Sequence, residues 1–207
     1  MRGDHSPAAV DHRIERLTFF SDAVFAIAIT LLVIEIHVPH LAGSGKSAGA
    51  ALRELAPSIF GFVASFLVIG RFWMGHHAAL ARVDSWRPEL LWPNLLLLMA
   101  IAFMPFATGF MSANLGETVP MAFYCSVLLL TAILSAWVVR LATRAWATAI
   151  DPAGRRILNA RALAIILAVS LALALAFVTP VFNILAIATS RLWQRLIERT
   201  AYRDHAA

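Results

Sequence analysis

Apolar blocks of membrane-spanning length are the feature that most restricts how this chain can fold. Residues 17–36, 55–75, 90–111, 119–139, 162–178 and 181–193 are runs of mostly apolar side chains separated by short polar stretches. A helix needs about 20 mostly apolar residues to cross a bilayer. The first five blocks meet that length. The sixth is short, and its apolar part alone would suit an interfacial or buried segment. In hydrocarbon every backbone N–H and C=O must find its partner within the protein, so blocks of this kind predict helices. Charged residues make up only 14% of the 207, well below the roughly one-quarter of a soluble domain, and the fold class expected is an all-α, polytopic membrane protein.

The arginines set the expected topology. Arg2, Arg13 and Arg16 precede the first block, Arg82 and Arg87 lie between the second and third, Arg140, Arg144, Arg155, Arg156 and Arg161 between the fourth and fifth, and Arg191, Arg195, Arg199 and Arg203 follow the sixth. The alternate loops hold little that is basic: Lys46 and Arg53 after the first block, none around Glu117, none at Thr179-Pro180. Cytoplasmic loops are the ones enriched in Lys and Arg. The alternation therefore predicts six spans with both termini in the cytoplasm; five spans would place the basic C-terminus outside. The same placement absorbs the formal charge of +5, and no nucleic-acid partner is expected. Membrane lipids are the expected surroundings, with Arg191, Arg195 and Arg199 snorkelling toward anionic headgroups.

Several other readings fall away. Residues 19–34 resemble a signal-peptide core, but the block carries Asp22, ends on Glu35 and His37 without a small-residue cleavage pattern, and is followed by further spans. The single cysteine, Cys125, lies in an apolar run, so neither a disulfide framework nor a cysteine zinc site is expected. His76 and His77 are adjacent and cannot share one helix face, which makes a two-histidine metal site poor. No phosphate loop, zinc-protease helix or nucleophile-base pair stands at readable spacing, so no enzyme activity, cofactor or resident metal is expected. Pro57 suits a first helical turn, whereas Pro93 and Pro105 fall within the third block and predict a bent helix there.

The first block is the informative one. It reads RLTFFSDAVFAIAITLLVIEIH from Arg16 to His37, with a carboxylate and a serine one turn inside an apolar span. An ionisable group at such a place is functional or paired. At about 100° per residue, Asp22 shares a face with Ala26, Ile29 and Val33, while Phe20, Ala23, Ile27, Thr30, Leu31 and Ile34 form a second stripe. Asp22 needs donors, and Arg16, Trp73, His76 and His77 are placed to supply them. The second stripe, on periodicity alone, is an ordinary packed or lipid-facing surface. Glu35 and His37 at its outer end suit either cation attraction at a mouth or a plain interfacial position.

The run Arg16-x-x-x-Phe20-Ser21-Asp22, continuing AVFAIAITLLVIEI, resembles the first-helix signature of the potassium channels related to the lysosomal transmembrane protein 175, in particular their short prokaryotic members. The resemblance extends through RFWMGHHAALARVD in the second block and LLWPNLLLLMAIAFMPFATGFM in the third, and thus covers about the first half of the chain. It implies six helices per chain, a homotetramer around an axis, and a central pore lined by the first helices. No re-entrant filter loop is implied, and no carbonyl-filter sequence is present. The constriction would fall on Ile27, with Leu31 and Ile34 as further apolar layers and Thr30 as a hydroxyl ring linked to potassium preference. Arg16, Phe20, Ser21 and Asp22, with Trp73 and His77, would form the network holding the pore helix.

The expected function is accordingly a potassium-preferring cation channel of the bacterial inner membrane, passing potassium ions passively. The alternative is a proton channel or proton-coupled secondary transporter using Asp22 and His76/His77 as its relay, although such carriers usually show inverted repeats. Thr30 has a competing geometry: its hydroxyl bonded back to the carbonyl of Ala26 or Ile27, out of the reach of ions.

Overall fold

The structure, a computed structural model, describes residues 12–41, 45–81, 83, 86–145 and 152–178. Helix α1 (His12–Leu31) tightens into a 3-10 turn at Leu32–Glu35. A short α2 (Ala48–Glu54) follows, its first turn capped by Ser47, whose hydroxyl accepts the Ala50 N–H at 3.2 Å. Then come α3 (Ala56–Leu80), α4 (Leu91–Ala113), α5 (Thr118–Ala145) and α6 (Pro152–Ala176). Among the described residues all regular structure is helical, and five helices are long and apolar enough to cross a membrane. The sixth apolar block, 181–193, and the arginines around and beyond it lie outside the described residues.

The helices overrun the apolar blocks that announced them. The second continues past Gly75 to Leu80, the fourth past Val139 to Ala145, and the fifth begins at Pro152 instead of Ala162. Backbone hydrogen bonding does not stop at the edge of the hydrocarbon, so composition marks only the embedded part of each helix. Proline placement follows from the same boundaries. With α4 starting at Leu91, Pro93 stands in the first turn, where an N–H has no helical acceptor; Pro105 alone interrupts the ladder, and the helix continues through it to Ala113. Pro57 occupies the first turn of α3.

Helix α4 is the centre of the bundle. Its apolar stretch is 61% buried, against 28% for α1 and 22% for α3, so α1 and α3 keep faces that the described residues leave exposed. The core is assembled from Phe25 and Ala28 of α1 and Leu32 of the turn after it, Ile69 and Phe72 of α3, Leu97, Ile101 and Met104 of α4, and Tyr124, Cys125 and Leu128 of α5. Helix α6 docks on α5 through Ala164, Ala168, Ala172 and Ala176, all fully buried at four-residue spacing, the small-residue surface that lets membrane helices approach closely. At Gly61 α3 comes so near α4 that an added Cβ would stand 2.9 Å from the Ser112 Cβ.

Candidate functional site

Helix α1 sorts its residues cleanly. Ile14, Leu17, Ser21, Phe25 and Ala28, with Leu32 at the start of the following turn, are buried at spacings of three or four, so a single seam of the helix packs on α3 and α4. Roughly 140° around the helix, at about 100° per residue, lies the stripe anticipated from the sequence. Ile27 is 57% exposed, Leu31 39% and Ile34 66%, with Phe20 at 53% at its start and Thr30 exposed among them. Within one chain this stripe points away from the bundle.

Thr30 adopts the back-bonded geometry, its Oγ1 donating to the Ile27 carbonyl at 2.9 Å. That bond does not put the hydroxyl out of the reach of ions. A cation is coordinated by an oxygen lone pair; spending the proton on the backbone leaves the lone pairs outward and fixes the rotamer.

Two polar clusters hold α1 against its neighbours. In the first, the Trp73 indole N–H donates to Asp22 Oδ1 at 2.8 Å, and His77 Nδ1 stands 3.7 Å from Asp22 Oδ2, an ion-pair distance when the imidazole is protonated. The Trp73 and His77 rings lie 5.5 Å apart, centroid to centroid. Asp22 is half-buried at the edge of the α1–α3 contact, beside the seam and not on the stripe. Arg16 is exposed and, among the described residues, takes no part in this cluster. Phe20 likewise faces outward.

The second cluster is fully buried and centres on Asn94 of α4, which sequence reading passed over. His76 Nε2 lies 2.6 Å from Asn94 Oδ1, Asn94 Nδ2 donates to Ser21 Oγ at 3.0 Å, and Ser21 Oγ donates to the Leu17 carbonyl at 2.7 Å. Since Oδ1 only accepts, the His76 proton sits on Nε2, and the donors run in one direction from α3 through α4 into the backbone of α1. His76 Nδ1 has no hydrogen-bond partner among the described residues, and the ring packs on Phe25 with centroids 5.4 Å apart. The adjacent histidines thus serve different clusters. The available signal for Asn94 was its being the one amide within LLWPNLLLLMAIAFMPFATGFM. A third polar chain, Tyr124, Ser65 and Thr108, ties α5, α3 and α4 together, with Ser65 Oγ 3.1 Å from the Tyr124 hydroxyl and 2.8 Å from Thr108 Oγ1.

At the outer end of the stripe the Glu35 side chain folds back onto α4, filling the space that a Cβ on Gly109 would need. His37 is exposed, with Nδ1 3.1 Å from the Glu35 carbonyl oxygen. Among the described residues no three His, Cys, Asp or Glu side chains gather in a metal-binding arrangement.

A family model described as the endosomal/lysosomal potassium channel TMEM175 matches residues 16–105. A potassium channel of Streptomyces collinus is 43% identical over 102 residues, which is 49% of this chain and 49% of that protein. The crystal structure of a lysosomal potassium-selective channel TMEM175 homolog from Chamaesiphon minutus superposes with a TM-score of 0.76 at 27% identity, covering 90% of this chain and 99% of that one. Over α1, α3 and most of α4 the chain resembles TMEM175 channels in sequence, and it shares the fold of the Chamaesiphon minutus homolog. The TMEM175 window opens on Arg16 and closes on Pro105, so it takes in α1, α3 and most of α4, the helices that build the outward stripe and both clusters around α1. The sequence match spans about half the length of the Streptomyces relative, while the structural match extends to α5 and α6. Vertebrate relatives match over a smaller part of their own length: the Gallus gallus protein, named an endosomal/lysosomal proton channel TMEM175, is 34% identical over 45% of this chain and 20% of its own length. TMEM175 proteins form a channel family and not an enzyme class, and this chain, with five described helices long and apolar enough to cross a bilayer, is a multi-pass membrane protein.

The Asp22 cluster yields a first prediction. Asp22→Ala leaves the Trp73 N–H without its acceptor in a poorly hydrated setting, at about 1–3 kcal/mol for a lost buried partner, less here because Asp22 is only half-buried. The variant is expected to yield less assembled protein on size-exclusion chromatography, with unaltered ion preference in what does assemble. Full assembly with changed selectivity would make Asp22 a permeation residue.

Proposed function

We propose that the chain is a potassium-preferring cation channel in which four copies surround an axis and α1 of each lines the pore, conducting passively across a bacterial inner membrane with both termini cytoplasmic. The observation that carries this reading is the Ile27, Thr30, Leu31, Ile34 stripe: left exposed by the described residues, uncharged, and set across the helix from a side that two polar bonds hold to α3 and α4. The potassium-channel relatives and the arginine distribution support it. Around an axis, Ile27, Leu31 and Ile34 give stacked apolar rings, a constriction that gates by dewetting without carbonyl ligands. Thr30 adds the one ring of outward oxygen acceptors.

Potassium sheds its hydration water more readily than sodium, so a sparse hydroxyl ring favours potassium only moderately. Thr30→Val keeps the shape and removes the oxygen. Its reversal potential in mixed potassium and sodium is expected to move toward that of a non-selective pore, with conductance retained. An unchanged reversal potential would assign the preference to the apolar rings alone.

A second reading, a proton channel or proton-coupled carrier, is favoured by the proton-channel name of the Gallus gallus relative and by the Asp22–His77 pair. Its relay would be Asp22 with His76/His77. Against it, His76 is bonded to Asn94 in a separate cluster, and neither group lies on the stripe. Currents recorded under opposed proton and potassium gradients separate the two, since a proton path reverses near the proton equilibrium potential.

A further inference from the structure

A cavity of about 260 Å³ opens between α3, α5 and α6, away from α1 and its clusters. Its polar lining comes from Arg71, Ser135 and Arg161, and its walls include Met74, Val139 and Leu158. No carboxylate is among the described residues lining it. A smaller apolar pocket, about 50 Å³, shares Arg71, Phe72 and Ile165 with it and continues along α5 and α6 past Leu128 and Val169. The three polar residues stand at one depth. Arg71 is nine residues before the end of α3, Ser135 ten before the end of α5, and Arg161 nine after the start of α6, which is roughly 14 Å at about 1.5 Å per residue. All three measure from the same, arginine-rich end of the bundle, where Arg140 and Arg144 also lie exposed.

Two guanidinium groups and a hydroxyl at the mouth of an apolar slot match a phosphate diester carrying an acyl chain. Guanidinium binds phosphate oxygens through paired N–H donors, and basic pockets between membrane helices on the cytoplasmic side take anionic headgroups. Arg71 is also engaged within the chain, but a guanidinium has five N–H donors and accommodates a second partner. We infer that this cavity binds the headgroup phosphate of an anionic glycerophospholipid from the leaflet at the arginine-rich end, with Arg71 and Arg161 on the phosphate, Ser135 beside it, and an acyl chain along α5 and α6. The proposal takes its leaflet from the topology proposed above. Its binding test needs no current, so failure of the channel reading would not imitate failure of this one.

The test uses the purified full-length protein, supplemented with phosphatidylglycerol or phosphatidylcholine and examined by native mass spectrometry. Phosphatidylglycerol is expected to be retained in preference at one molecule per chain, and Arg71→Gln and Arg161→Gln are each expected to lower retention about fivefold. Arg140→Gln, which removes an arginine from the same end but not from the cavity, is expected to leave it unchanged. Ala162→Leu narrows the cavity while keeping both arginines, and is expected to lower retention as well. Equal retention of the two lipids, an equal loss in Arg140→Gln, or full retention in Ala162→Leu would overturn the proposal. Displacement of the bound lipid by millimolar inorganic phosphate, with phosphate then retained in its place, would make this a site for a soluble anion and overturn the lipid assignment.

Discussion

Ile27→Ser is expected to raise the unitary potassium conductance several-fold. Ile27 stands on the exposed stripe of α1, one turn before Leu31, and its side chain is more than half exposed in the single chain. Four such side chains around an axis leave an apolar neck from which water withdraws, and an ion must shed much of its hydration to pass. Serine shortens the side chain and adds an oxygen on each subunit, so the neck widens and stays wet. The gain should come with weaker discrimination between potassium and sodium, since a wet pore passes both ions hydrated. Single-channel recording in planar bilayers gives both quantities. Because Ile27 is mostly exposed and not one of the buried core residues described, the variant should assemble as the parent does; unaltered currents from it would take Ile27 out of the pore.

Asn94→Leu is expected to be among the most destabilising single changes in the described helices. Leucine keeps the branching at Cγ but is bulkier and offers no polar atom: the His76 Nε2 proton keeps no acceptor, and Ser21 loses the donor that joins α1 to α4. An orphaned buried donor costs about 1–3 kcal/mol. For a chain of this size that corresponds to a fall of about 2–4 °C in Tm per kcal/mol. Replacing both partners by apolar groups is far less costly than removing one. The double variant Asn94→Leu/His76→Phe should therefore recover most of the loss, whereas additive losses in a thermal-shift series would show that the bond between them matters little.

What the sequence revealed, and what it withheld, divides along physical lines. Hydrocarbon demands long apolar runs, so the five described spans were readable as blocks, and helical periodicity separated the two faces of α1 without coordinates. Helix ends were not readable: α5 and α6 carry arginines into their turns at an end where composition has already turned polar. Nor was α2, whose run of Ala and Gly around one Arg and one Glu carries no apolar signal. That Asp22 needs donors followed from its surroundings, but the choice of Trp73, and the diversion of His76 to Asn94, depend on how α3 and α4 are rotated against α1. A lone amide in a block of leucines reads as tolerated polarity until the neighbouring helices are placed. The seam residues Phe25 and Ala28 were hidden for the converse reason, since in an apolar helix every face is apolar and only packing shows which one is inside.

The central claim is that one stripe of α1, and not its flanks, faces the ions. Single cysteines introduced in a Cys125→Ala background at Ile27, Thr30, Leu31 and Ile34, and at the exposed flank positions Phe19 and Val33, can be exposed to a charged, water-soluble thiol reagent while potassium current is recorded. The account predicts block at the four stripe positions and steady current at the two flank positions. Block at Phe19 and Val33 with none at Ile27 and Thr30 would contradict it.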